Sequence, residues 1–214
     1  MKVLLINPKS RIFSYQVPPL GILSIASYLR SRGYPNVSVL DADAEQKGFS
    51  SLKEYLLKNK PEIVGITSIS FNYREALKTA KFIKSNFPNT FIVFGGAHPS
   101  HFPMDCLKEE ACDCVVIGEG EKTFLELCKA IDKKESFAKI DGIVFKNNGN
   151  VIITSPRTLM DNLDELPIPA YNLINVKNYE VALQHILVSS AKPGDLILPI
   201  LESRGCIYKC IFCD

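Results

Sequence analysis

Short apolar runs alternate with stretches of helical periodicity five times along the first two thirds of the chain. The runs are Lys2–Ile6, Val37–Leu40, Ile63–Thr67, Phe91–Phe94 and Cys114–Ile117, all rich in Val and Ile. Near-continuous apolar runs suit strands buried on both faces of a parallel sheet. Between them, Pro19–Arg32 places Leu20, Leu23, Ala26 and Leu29 at helical spacing and ends at Gly33, a natural C-cap. Ser51-Leu-Lys-Glu54 has the form of a capping box and predicts a helix to about Lys60, where Pro61 stops it. Further helices are predicted from Asn72 to about Asn86, over about Met104–Glu110, and over about Glu121–Ile131. Strands alternating with helices of this length imply right-handed crossovers and a doubly wound α/β sheet of five parallel strands. The expected strand order is flavodoxin-like.

After about Lys139 the pattern changes. Gly142–Phe145 and Val151–Thr154 flank an Asn/Gly-rich turn and predict a β-hairpin. Leu163–Ala170 carries two prolines and reads as an extended connector, and Leu196–Leu201 as one more strand. Three parts are therefore expected: an α/β domain over 1–139, a hairpin and linker over 140–195, and a new unit beginning at 196.

Composition narrows the function classes. The 214 residues include 46% hydrophobic ones, with 25 basic against 23 acidic side chains and a formal charge of +2. No dense run of Lys and Arg offers an electrostatic grip on nucleic acid. No apolar run approaches the ~18 residues needed to span a bilayer, and the apolar start is too short for a signal-peptide core. A cytoplasmic protein with neither nucleic-acid nor membrane partners is expected. Of seven cysteines, Cys106 and Cys128 sit among Leu and Ala and read as small buried hydrophobes. Cys112-Asp113-Cys114 lacks a second pair at finger-like spacing and also reads as structural.

Candidate chemistry lies at the strand ends and at the last nine residues. In an open α/β sheet, ligands bind beyond the carboxyl ends of the strands. Those ends carry Asp41-Ala42-Asp43, Thr67-Ser68-Ile69, Gly95-Gly96-Ala97-His98 and Gly118-Glu119-Gly120-Glu121. Paired glycines permit close approach of a bulky ligand, and neighbouring hydroxyls supply hydrogen bonds. His98 stands at this edge as a candidate ligand contact, although a loop histidine before proline is more often structural. Glu121 reads most simply as a helix-capping carboxylate. Neither a phosphate loop nor a GxGxxG turn is present, which disfavours nucleotide binding by the usual loops. Cys206, Cys210 and Cys213 form a CxxxCxxC spacing with the aromatic Phe212 before the third cysteine. Three thiolates holding a cubane cluster leave one iron open, which makes a site rather than an electron carrier. The alternative is a zinc or electron-transfer site lacking its fourth ligand.

Taken together, these stretches resemble the front part of a radical S-adenosylmethionine protein with an N-terminal cobalamin-binding domain. The likeness runs through Pro18-Pro19-Leu20-Gly21, Ile63–Thr67, Phe94–Pro99, Ile117–Glu121 and Leu163–Tyr171 to Ser203-Arg204-Gly205-Cys206. The resemblance implies that Cys206, Cys210 and Cys213 hold a 4Fe–4S cluster whose open iron chelates S-adenosylmethionine, with Phe212 near the adenine. One-electron cleavage would then yield a 5′-deoxyadenosyl radical. It further implies cobalamin at the sheet edge, contacted by Asp41, Ala42, Asp43, Thr67, Ser68, Ile69, Gly95, Gly96, His98, Gly118 and Glu119.

Relatives that clamp cobalt with imidazole carry DxHxxG after the second strand, and here Asp43 stands at the histidine position. A carboxylate substitutes poorly for imidazole on cobalt, so cobalamin without a protein histidine ligand is expected. Methyl transfer to an unidentified small molecule or peptide is implied, with a reductant such as flavodoxin or ferredoxin. A catalytic barrel of ~200 residues would follow, and the chain alone would be inactive. The competing readings are a radical enzyme whose α/β domain binds no cobalamin, and a non-catalytic corrinoid-binding module.

Overall fold

The computed structural model describes residues 1–10, 17–46, 48–179, 195–196, 198–206, 208 and 210–211. Strands β1 (Val3–Asn7), β2 (Val37–Asp41), β3 (Ile63–Thr67), β4 (Phe91–Gly95) and β5 (Cys114–Val116) are parallel. Their spatial order is β2-β1-β3-β4-β5, the flavodoxin-like order expected from the alternation. Two antiparallel strands, β6 (Ile143–Asn147) and β7 (Asn150–Ile153), extend the same sheet beyond β5 to make seven. Their turn places Asn148 at φ +50° and Gly149 at φ +82°, the conformation that favours Asn-Gly in two-residue hairpins.

Because side chains alternate along a strand, each parallel strand feeds two cores. Val3, Leu5, Ile63 and Val93 meet α1 (Leu20–Ser31) and α6 (Glu121–Lys133) through Leu23, Leu29, Phe124 and Cys128. Leu4, Ile6, Val64, Ile66 and Phe94 meet α2 (Phe49–Asn59) and α3 (Tyr73–Asn86) through Leu56, Ala80 and Ile83. Cys106, Cys112, Cys114 and Cys128 are all buried free thiols, in keeping with their reading as small core residues. Among the described residues no helix is long and apolar enough to cross a membrane.

Three expectations are corrected. Helix α2 starts at Phe49, with Gly48 at the N-cap and no side-chain cap, so Ser51 lies inside it. Phe49 stacks on Phe82 of α3 at 4.8 Å, and that packing draws the helix start two residues upstream of the capping-box motif. The single helix expected over Met104–Glu110 is replaced by α4 (Ala97–His101) and α5 (Pro103–Leu107). Pro103 has no N–H to continue α4 and occupies the first turn of α5. The strand expected over Leu196–Leu201 is reduced to a bridge at Leu196, with no strand over 198–201. Pro199 offers no ladder donor there.

Candidate functional site

The ladder registers pair Asn7 with Asp41 and Thr67 with Gly95, so the carboxyl ends of the parallel strands finish along one edge. A cleft of about 550 Å³ opens there between the sheet and the α1–α6 side. That volume falls in the range of small-molecule sites. Its walls include Leu5, Ile22, Ile25, Val93, Val116 and Phe124, with Gly21, Gly65, Gly95, Gly96, Gly118 and Gly120 among the lining positions. Thr67, Glu119 and Glu121 bring polar groups to it, as do Ser203 and Arg204 from the far end of the chain. A second cleft of about 390 Å³ shares Gly21, Ile22 and Thr67 with the first. It is lined also by Asn7, Ser10, Asp43, Ser68, Ile69 and Asn72.

The residues of this edge are held by their own loops. Gly96 adopts φ +95°, and a Cβ there would lie 2.7 Å from the Ser68 carbonyl oxygen and 2.8 Å from Thr67 Oγ1. The glycine therefore lets the β4 loop press against the β3 loop. The Ser68 N–H donates to the Gly95 carbonyl at 2.9 Å, and the Asn72 side chain accepts from the Ile69 N–H at 2.9 Å. Ser68 is only 2% exposed, yet among the described residues its Oγ has no hydrogen-bond partner, and the buried Ser10 Oγ has none among them either. Buried hydroxyls without partners are uncommon, and two beside one cleft suit a ligand carrying its own donors or acceptors.

A family model, the B12 binding domain, matches residues 12–128. The chain belongs to this family. Within the B12-binding domain the matched span carries the loops after β2, β3, β4 and β5, whereas Asn7 and Ser10 of the second cleft and Ser203, Arg204 and Gly205 of the first lie outside it. An uncharacterized methyltransferase of Pyrococcus horikoshii is 36% identical over 220 residues, covering all of this chain and 45% of that protein. The anaerobic magnesium-protoporphyrin IX monomethyl ester cyclase of Synechocystis is 31% identical over 221 residues, covering all of this chain and 42% of that protein. The chain thus spans less than half the length of these curated relatives. Among solved structures, the cobalamin-dependent S-adenosylmethionine radical enzyme OxsB, with aqua-cobalamin and S-adenosylmethionine bound, shares the fold. Its TM-score is 0.71 at 23% identity, over 79% of this chain and 24% of that one.

The predicted site residues of the B12-binding domain divide into two groups. Thr67, Gly95, Gly96, Gly118 and Glu119 line the first cleft; Asp43, Thr67, Ser68 and Ile69 line the second. Asp41, Ala42 and His98 line neither. Asp41 is 1% exposed and serves its own neighbourhood. Its carboxylate accepts from Asn7 Nδ2 at 3.0 Å, from the N–H groups of Asp43 and Ala44, and from the Tyr179 hydroxyl at 2.6 Å. Burial and this carboxylate raise the Tyr179 pKa far above its ordinary value. The Ala42 N–H donates to the Asn7 carbonyl at 2.9 Å. Asp43 accepts from the Ser10 N–H at 2.7 Å.

His98 is packed rather than presented. Its ring lies 4.1 Å from that of Tyr73 and 5.1 Å from that of Phe102, and Nδ1 meets Ser70 Oγ at 3.1 Å. Burial lowers its pKa, against the opposing pull of Asp105. Cys206 and Cys210 are exposed. Cys213, Phe212 and His185 lie outside the described residues, and among those described no cluster of three His, Cys, Asp or Glu side chains could hold a metal ion.

Two features were not foreseen. Gly65 belongs to the cleft; its isolated place inside the Ile63–Thr67 run was the available signal, since such a glycine marks close approach. Glu121 does more than begin a helix. It is 3% exposed and binds Arg204 of the Ser-Arg-Gly stretch, a pairing across 83 residues for which the sequence carries no local sign.

Proposed function

We propose that this chain is the N-terminal, cofactor-holding part of a cobalamin-dependent radical S-adenosylmethionine enzyme, acting in methyl transfer or related radical chemistry. The observation that carries this reading is the glycine-lined cleft at the carboxyl edge of a B12-binding domain, with unpaired buried hydroxyls beside it. The donor set fits the group. Apolar walls from Ile22, Val116 and Phe124 suit the long organic body of cobalamin, and Thr67 and Ser68 supply hydroxyls. Asp43 takes the place of an imidazole, which favours cobalamin held without protein nitrogen on cobalt.

When bound, cobalamin would supply a methyl carrier, and a 4Fe–4S cluster with S-adenosylmethionine would supply one-electron chemistry. The residues for the cluster would be Cys206, Cys210 and Cys213. The chain's own part is to exclude water from one face through the α1–α6 wall, and to orient the ligand by Thr67, Ser68 and the close β3–β4 loops. The relatives' greater length supports a catalytic region outside this chain, where substrate choice and docking of a flavodoxin or ferredoxin reductant would reside.

The test is anaerobic reconstitution with hydroxocobalamin, followed by gel filtration and a visible spectrum of the protein peak. Near-stoichiometric corrinoid with a base-off spectrum is expected. Corrinoid that washes away cleanly would refute the reading.

A further inference from the structure

Arg204 lies two residues before Cys206 and is held by groups from the opposite end of the sheet edge. Its Nη2 donates to Glu121 Oε1 at 2.6 Å and its Nη1 to Glu121 Oε2 at 3.2 Å, a two-pronged match of guanidinium and carboxylate. Glu119 Oε1 stands 3.4 Å from Nη1. Each glutamate is itself tied down: Ser24 Oγ on α1 donates to Glu121 Oε1 at 2.6 Å, and the Met160 N–H donates to Glu119 Oε2 at 3.1 Å.

The arrangement is specific to arginine. Glu121 is nearly fully buried, so its charge needs a cation with several directed donors rather than a solvated lysine ammonium. Leu201, Ser203, Arg204 and Gly205 also form part of the first cleft's wall. The contact that seats Arg204 therefore completes the cleft and sets where the cysteine loop begins.

We propose that Glu119 and Glu121 are positioning residues that seat Arg204, so that a corrinoid in the cleft and order in the cysteine-bearing segment are thermodynamically linked. Linkage is reciprocal: a ligand that favours the closed wall must bind more weakly once the wall is released, by the factor it otherwise contributes to order. The linkage rests on the cobalamin reading above, whereas the docking of Arg204 does not.

The experiment is hydrogen exchange of peptides covering 198–206 in the whole chain, with and without hydroxocobalamin, together with corrinoid affinity from a visible titration. Wild type is compared with R204A, R204K and E121Q. Without corrinoid, R204A and E121Q should exchange this segment about tenfold faster, while peptides from β1 and β3 are unchanged. Hydroxocobalamin should slow exchange there in wild type and bind R204A about tenfold more weakly. R204K should fall between, because an ammonium cannot meet both carboxylate oxygens in one plane; a purely steric role for the side chain would make R204K equal to wild type. Equal corrinoid-free exchange in wild type and R204A would overturn the docking. Equal affinity would overturn the linkage. Fast exchange in R204A with no corrinoid bound to wild type would leave the docking standing and sink the cobalamin reading instead.

Discussion

Replacing Gly21 by leucine should separate ligand space from fold stability. Gly21 is the second residue of α1 and lines both clefts. A Cβ there would meet nothing within 4 Å, and the residue has no positive φ. In a helix interior glycine is about 0.8–1.0 kcal/mol less favourable than alanine, and leucine is close to alanine. The position lies in the first turn, so a gain of about 0.5 kcal/mol is the reasonable share. For a chain of this size each kcal/mol moves Tm by roughly 2–4 °C, so G21L should melt about 1–2 °C higher. Its added carbons would stand in the space shared by the two clefts. Hydroxocobalamin affinity should drop at least about tenfold, equivalent to 1.4 kcal/mol. The assay pairs a corrinoid-free thermal melt with a visible titration, and G21A serves as the small control. An unchanged affinity with an unchanged or raised Tm would refute the placement of the corrinoid beside Gly21. A fall of several degrees in Tm would instead show that α1 needs this glycine for packing.

Y179F should lose about 1.5–3 kcal/mol in urea unfolding, because the 2.6 Å bond to the buried Asp41 carboxylate is one to a charged group; an unchanged midpoint would mean that Asn7 and the loop N–H groups satisfy Asp41 alone. In cluster-free native protein at pH 8, iodoacetamide should label Cys206 and Cys210 quickly and leave Cys106 and Cys128 unreacted, since burial pushes their thiols up to about 11 and about 12. For Glu121, burial acts to raise the pKa, but the hydrogen bonds from Arg204 and Ser24 and the Arg204 charge outweigh it, and the carboxyl sits below its ordinary value. Its contribution is therefore fully present above about pH 4.3 and lost as pH falls through the lower folded value. Thermal melts between pH 7 and 2.5 should show this acid-side loss in wild type, and E121Q should flatten it.

What could be read from the sequence was what is local. Strand β3 coincides with the Ile63–Thr67 run, β1 is shifted by one residue at both ends, and the other parallel strands differ by one residue at one end, because an apolar run flanked by helices fixes a buried strand by itself. The Asn-Gly hairpin was legible for the same reason, its turn chemistry being contained in two residues. The edge loops were legible because strand ends in this topology must meet. The structure departs from the sequence pattern where a proline breaks an element, as at Pro103 and Pro199, or where a group distant in the chain claims a residue. Asp41 is bound by Tyr179, 138 residues away, and by the adjoining loop. His98 follows β4 at this edge, and Tyr73 and Phe102 close around its ring, the structural role more usual for a loop histidine before proline. Phe49 moved a helix start by stacking on α3.

The glycines give the sharpest distinction between turn chemistry and ligand space. Those at 65 and 96 are required by packing: a Cβ would lie 2.8 Å from Leu5 and Phe124 at the first and 2.7 Å from the Ser68 carbonyl at the second, whereas at Gly120 it would meet only the movable tip of Ile25. Gly118 is required by its φ of +73°. Gly65, Gly96 and Gly118 would be glycine whether or not the edge held anything. Gly21 and Gly95 have neither need, for a Cβ at either meets open space and neither backbone is left-handed. A helix and a strand would both be more stable with a side chain there. Two positions on different elements, both lining the same cleft, thus forgo stability with no return among the described residues. A bulky ligand that occupies the space is the return that explains both at once. Packing and turn geometry, the competing accounts of a glycine-rich edge, explain Gly65, Gly96 and Gly118 and leave Gly21 and Gly95 without a cause.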